Sequence, residues 1–276
     1  MFDKLRGKSP SGHSKQDSTT STTSFSRPTP PPAYTSPSQT TFASLSLHME
    51  DRLRFLRFPA PILTTCTATI LAHWPPGIQQ ERPYATSHEI KLNGYPWRGY
   101  GQEAAQARRL MKALLSTLHS NGWILTLNTD ITKTATDKDT LVFRYQSPAP
   151  PEHEWCCVAF SRQDRLRFVD APASLYAELE ARLGGSGEEW VKGQGEYAEG
   201  IWEFKLVGHP WQATGTTTMR VRELLIVLVE MLEAEGWGVY ASIDQKSGAA
   251  QGTSGTDTWH CCRVKGWEKG MPVYMR

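Results

Sequence analysis

Apolar and polar residues begin to alternate near Phe42. Leu45, Leu47, Leu53, Phe55 and Phe58 supply the two-residue period of half-buried strands. Farther on the period lengthens. Ala107, Leu110, Met111, Leu114 and Leu118 recur at helical spacing, as do Val221, Leu224, Leu225, Leu228 and Leu232, so each set predicts one buried helix face. Gly122 and Gly236 stand where a left-handed residue caps a helix, and Trp123 and Trp237 then open returning strands. Weaker helices are predicted over 61–73 and 173–183. The first contains β-branched Thr64, Thr65, Thr67, Thr69 and Ile70 and is expected to be distorted.

These pairs belong to an internal duplication with a spacing of about 114 residues. Asp51-Arg-Leu-Arg-Phe55 recurs as Asp164-Arg-Leu-Arg-Phe168. Glu89-Ile-Lys-Leu92 with Gly94-Tyr-Pro-Trp97 recurs as Glu203-Phe-Lys-Leu206 with Gly208-His-Pro-Trp211. Unit one is placed at 43–148 and unit two at 154–270, joined by a Pro-rich linker. Each reads as two strands, a helix, one strand, a stronger helix and a hairpin. That order lacks regular strand-helix-strand alternation, so the expected class is α+β: two tandem units, each a mostly antiparallel sheet with helices packed on one face. Stacking side by side and sharing a sheet edge both fit this pattern.

The start of the chain departs from it. Of the first 41 residues 23 are Ser, Thr or Pro, too poor in apolar side chains to offset the entropy of ordering, so 1–42 is expected to be a disordered tail. It contains Pro30-Pro31-Pro32-Ala33-Tyr34, and polyproline II, with three residues per turn, places Pro31 and Tyr34 on one side. This Pro-Pro-x-Tyr pattern resembles the ligands of WW domains, including those of HECT-class ubiquitin ligases. The resemblance implies a WW-domain partner bound through Pro31, Pro32 and Tyr34. Ser9, Thr29 and Ser36 each precede a proline and are candidates for phosphorylation near that motif.

Charge and cysteine content narrow the classes. Of the net +2, Lys4, Arg6, Lys8, Lys15 and Arg27 against Asp3 and Asp17 leave the tail at +3 and the body at −1. A nearly neutral body argues against nucleic-acid binding, which needs clustered cations along a phosphate backbone. No run approaches the roughly 18 apolar residues of a membrane span. Cys66, Cys156, Cys157, Cys261 and Cys262 form an odd set with two adjacent pairs, a poor disulfide framework, and no apolar signal core opens the chain. A cytoplasmic protein with reduced thiols is expected.

Candidate chemistry is sparse. Glu89 and Glu203 alternate with apolar neighbours, which predicts a solvated sheet face of modest ion pairs; the functional alternative makes either one a general base in a groove. Trp97 and Trp211 are expected to pack at the sheet end, with a ligand platform as the alternative. Asp130, Asp137, Asp139, Asp244 and Asp257 lack the spacing of a calcium loop, and His153, Cys156, Cys157, His260, Cys261 and Cys262 lack that of a zinc knuckle, so no metal is expected. No glycine-rich phosphate loop joins a strand to a helix, and no cofactor is expected. The expected function is a non-enzymatic interaction protein whose tail meets WW-domain partners and whose body binds a protein or small ligand. The alternative is an enzyme or ligand-binding protein with its site in the cleft between the units.

Overall fold

In the first unit of the computed structural model, β1 (Phe42–His48) and β2 (Arg52–Leu56) lead to α1 (Ala60–His73), then to a hairpin of β3 (Ile78–Tyr84) and β4 (Ser87–Leu92). A 3₁₀ turn at Pro96–Arg98 precedes α2 (Gly101–Ser120), and β5 (Trp123–Thr129) with β6 (Asp137–Tyr145) completes the unit. The second unit repeats each step: β7 (His153–Ser161), β8 (Arg165–Val169), α3 (Ala173–Gly184), β9 (Val191–Ala198), β10 (Ile201–Leu206), a 3₁₀ turn at Pro210–Gln212, α4 (Thr217–Ala234), β11 (Gly238–Ile243) and β12 (Thr258–Val264). The structure describes residues 40–98, 101–131, 137–184, 190–245 and 256–273. The tail motif at Pro31, Pro32 and Tyr34 lies outside the described residues.

Both sheets have six antiparallel strands on the same path, β3-β4-β2-β1-β6-β5 in the first and β9-β10-β8-β7-β12-β11 in the second. One expectation is corrected here: two strands, not one, separate the helices of each unit. β3 and β9 are outer strands that are mostly exposed, so their sequences carry neither alternation nor an apolar run. Pro83 is tolerated in β3 because that strand lies at the edge.

The first helix is also more regular than its threonines suggest. α1 runs 14 residues with Pro61 in its first turn, where no backbone N–H is required. The hydroxyls of Thr64, Thr65 and Thr69 donate to the carbonyls one turn back, at 3.2, 2.9 and 2.9 Å. The predicted glycine caps are left-handed, Gly122 at φ 82° and Gly236 at φ 81°. A Cβ at Gly122 would lie 2.4 Å from the Gln146 carbonyl, and one at Gly236 would lie 2.2 Å from the Trp267 ring. Packing and backbone conformation both require glycine there.

Alternation along each strand separates two faces. Leu45, Leu53, Phe55, Ile90, Leu92, Leu141 and Phe143 pack beneath α1 and α2. Cys156, Phe168, Phe204 and Leu206 pack beneath α3 and α4. α2 is buried on a second side as well. Ala105 joins Cys157, Val169 and Ile201 on the other face of the second sheet, while Ala241 and Ile243 of β11 enter the first core. The order is therefore first sheet, α2, second sheet, then α3 and α4, which is neither of the two arrangements the sequence left open. Where α2 covers the second sheet that face carries Cys157, Ala159 and Ile201. At the same ladder positions the open first sheet carries Ser44, Ser46 and Ser87.

Polar contacts lock this seam. Arg109 grips Asp170 at 2.8 Å and Lys112 reaches it at 2.5 Å. Arg108 donates to Thr258 at 3.2 Å, and the Tyr240 hydroxyl accepts the Leu125 N–H at 2.7 Å. Asp139 accepts the backbone N–H of Asp244 at 2.8 Å, joining two of the aspartates across the units. The void bordered by Pro96, Arg108, Gln245 and Thr258 measures about 10 Å³, room for a single water.

Candidate functional site

The strongest duplicated motifs meet on the outer face of each sheet. In the first, β2 pairs with β4 so that Arg54 stands opposite Glu89 and Arg52 opposite Lys91. Arg54 and Arg52 donate to the two Glu89 oxygens at 2.8 and 2.9 Å, and Arg82 on β3 adds a third guanidinium at 2.9 Å. Arg54 also lies over the Tyr84 ring, 3.9 Å from its centroid. Asp51 lies 3.5 Å from Arg52 and 3.7 Å from Lys91.

The expectation of a solvated Glu89 is corrected by this arrangement. Its side chain is 1% exposed, because three arginines from two neighbouring strands close over it. Burial pushes its pKa up, but hydrogen bonds from Arg54 and Arg82 and the charges of Arg52 and Arg54 outweigh that and hold the carboxyl below its ordinary value. A carboxylate so stabilised is a poor proton acceptor at neutral pH.

Unit two repeats the cluster with one change. Arg167 and Arg165 reach Glu203 at 2.7 and 3.1 Å, and Arg167 lies 3.7 Å from the Tyr197 ring centroid. Opposite Glu203 on the outer strand stands Gly195, where the first unit has Arg82 opposite Glu89. With two guanidinium groups rather than three, Glu203 stays 20% exposed.

The tryptophans belong to the same construction. The Trp97 indole donates to the Arg52 carbonyl at 3.2 Å, and that of Trp211 donates to the Arg165 carbonyl at 3.0 Å. Each thus ties the Gly-x-Pro-Trp turn to the strand that carries the arginines. Trp97 is fully buried and offers no ring face to a ligand, which corrects the platform alternative for that residue. Trp211 is half-buried against Phe160, 4.9 Å between centroids.

Ser46, His48, Arg82, Tyr84 and Tyr197 are members of these faces that sequence reasoning missed. Tyr84 and Tyr197 carry the repeat spacing, but their strands did not announce themselves. Ser46 Oγ lies 2.8 Å from His48 Nε2, which resembles the start of a nucleophilic dyad. The other ring nitrogen, Nδ1, faces Arg54 Nη1 at 3.3 Å. Arg54 can only donate, so in the tautomer that accepts from it Nε2 donates to Ser46.

Among the remaining candidates, Cys156 and Cys157 face opposite sides of their strand, one in each core region. All five cysteines are free thiols. Among the described residues no group of three or more His, Cys, Asp or Glu side chains is placed to hold a metal ion, and no helix is long and apolar enough to cross a membrane.

One domain family matches the chain twice, over residues 41–144 and 154–262. The chain belongs to that family. It carries two copies of the family's domain, and the matched spans coincide with the two sheet-and-helix units. No curated protein and no solved structure matches the chain.

Proposed function

We propose that this protein works by binding rather than by catalysis, joining a tail ligand for WW domains to a duplicated body that recognises a protein or small ligand. The observation that carries this reading is the state of the best acid/base candidate. Glu89 is enclosed by three arginines and held in its ionised form, so it is a poor general base. The tightly packed seam also favours it, because among the described residues the space bordered by Arg108, Gln245 and Thr258 has no room for a substrate. The body would use the open face of its first sheet, where Arg52, Arg54, Arg82 and Tyr84 present charge and an aromatic ring together.

The tail supplies the partner class. Pro31, Pro32 and Tyr34 fit the groove of a WW domain, such as that of a HECT-class ubiquitin ligase, and free thiols suit the reducing cytoplasm. The test titrates WW domains with the full chain and with its Tyr34→Ala form. A Kd in the micromolar range, about −8 kcal/mol, is expected for the parent and loss of binding for the variant. Equal binding by both, or by neither across a panel, rejects the tail reading. For the body, Tyr84→Ala should lose a captured partner without loss of folding, whereas loss of a measured catalytic activity in Glu89→Gln with Glu203→Gln would favour an enzyme.

A further inference from the structure

Among the described residues, duplication leaves one helix face and one sheet face unused. Inside the chain, α2 of unit one lies on the outer face of the second sheet. The helix equivalent to α2 is α4, at the far side of the layers. The sheet face equivalent to the covered one is the outer face of the first sheet, at the near side. The geometry points to head-to-tail self-association, in which α4 of one copy lies on the first sheet of the next and repeats the seam between chains. This inference is independent of any tail partner and rests on the reading of the body as a binding module, with a second copy as the protein that the open face of the first sheet takes.

Position by position, the contacts transfer. Arg108 donates to Thr258 across the existing seam, and the equivalent positions hold Arg222 and Thr140. Arg109 pairs with Asp170, while the equivalents are Glu223 and Arg57, reversed in sign yet still opposite in charge. The one contact that does not transfer is Gln245 to the Ala107 carbonyl, since its equivalent Ile131 has no donor and instead adds an exposed apolar side chain. Complementarity that survives a change of both partners is what a second use of the same geometry requires.

Exposure supports the same pairing. Ala105 is buried in the seam, whereas its counterpart Met219 is 64% exposed; Ile226, opposite in the repeat to Lys112, is 52% exposed. Ala241 is buried in the first core, whereas its counterpart Leu127 is 52% exposed. Phe42, in the place of Trp155, is 41% exposed. Large apolar side chains therefore stand on both unpaired faces where small, polar or covered ones serve inside the chain. Ser44, Ser46 and Ser87 keep the open sheet compatible with water, so the contact between chains is reversible and weaker than the seam within one.

Because the two surfaces differ, each new contact leaves one of each free, and the assembly is heterologous. Sedimentation velocity of the full chain up to about 1 mM should show a weight-average mass that rises with concentration beyond two copies. Ile226→Asp and Leu127→Asp each break one face at an exposed position, so each variant alone should be monomeric with an unchanged melting temperature. Mixed, they retain one competent pair of faces and should stop at a dimer. Glu223→Arg should weaken association by about tenfold or more, and adding Arg57→Glu should restore it. A wild-type chain monomeric throughout, a single folded variant that still associates, or a mixture that stays monomeric would each overturn the proposal.

Discussion

Glu89 shows how a residue that looks solvated in sequence becomes structural. Its neighbours Ile90 and Leu92 point to the core, so by alternation Glu89 faces away from it, yet arginines from β2 and β3 cover it. Glu89→Gln leaves those cations without their counter-charge and should cost roughly 1–3 kcal/mol at neutral pH. Glu203→Gln should cost less, because Glu203 is more exposed and has one arginine fewer. Equal denaturation midpoints for the two variants would contradict this ordering. The pH dependence has a definite sign. A carboxyl held below its ordinary pKa stabilises the fold above the unfolded-state value, and that contribution disappears as pH falls through the lowered one. The gap between parent and Glu89→Gln should therefore be flat near neutrality and close in acid.

At the scale of elements, α2 and α4 share a sequence period but have different surroundings. Leu228 lies at the centre of the buried side of α4, and Leu228→Ala should cost about 2–5 kcal/mol through lost burial and a residual cavity. A chemical-denaturation midpoint unchanged from the parent would place that side chain outside the core. α2 buries polar residues too, because its second side meets another sheet. At its C-terminal end His119 is packed among His153, Trp155 and Tyr240. Burial, and then the charge of His153, lowers its pKa to about 4. His260 on β12 is lowered to about 3 by burial and then by Arg108 and Lys112. Both bind protons more readily when unfolded, so stability should fall as pH drops from the ordinary histidine value near 6.5 toward 4, by roughly 1–3 kcal/mol for each group. His119→Gln should flatten that slope in urea titrations at several pH values, and an unaltered slope would remove His119 from the account.

Across the whole molecule, the seam makes the two units mutually dependent. α2 supplies the first core and also covers the second sheet, so residues 39–276 should unfold in one cooperative transition. Asp170→Asn removes the charge that holds Arg109 and Lys112 and should lower stability by roughly 1–3 kcal/mol without separating the transition in two. Two resolved calorimetric transitions in the parent would show instead that the units stand alone. The same layering leaves α4 and the first sheet's outer face at opposite ends, which is why association of whole chains belongs to this scale.

The repeat, the class of fold and the core face of each second helix are legible in the sequence, because side-chain periodicity reports directly which positions a strand or helix hides. The edge strands β3 and β9 are not. Strands exposed on both faces carry no alternation, and their ladder partners come from β4 and β10, which the local pattern does not name. The arginine clusters were half visible: Asp-Arg-Leu-Arg-Phe and Glu-x-Lys-Leu each stood out as repeats, yet nothing in either motif says that β2 and β4 lie side by side. Only the tertiary structure decided that pairing, and with it the burial of Glu89 and Trp97. It also decided that α2 lies between the sheets, since an apolar residue such as Val169 or Ile201 signals burial without naming the surface that covers it.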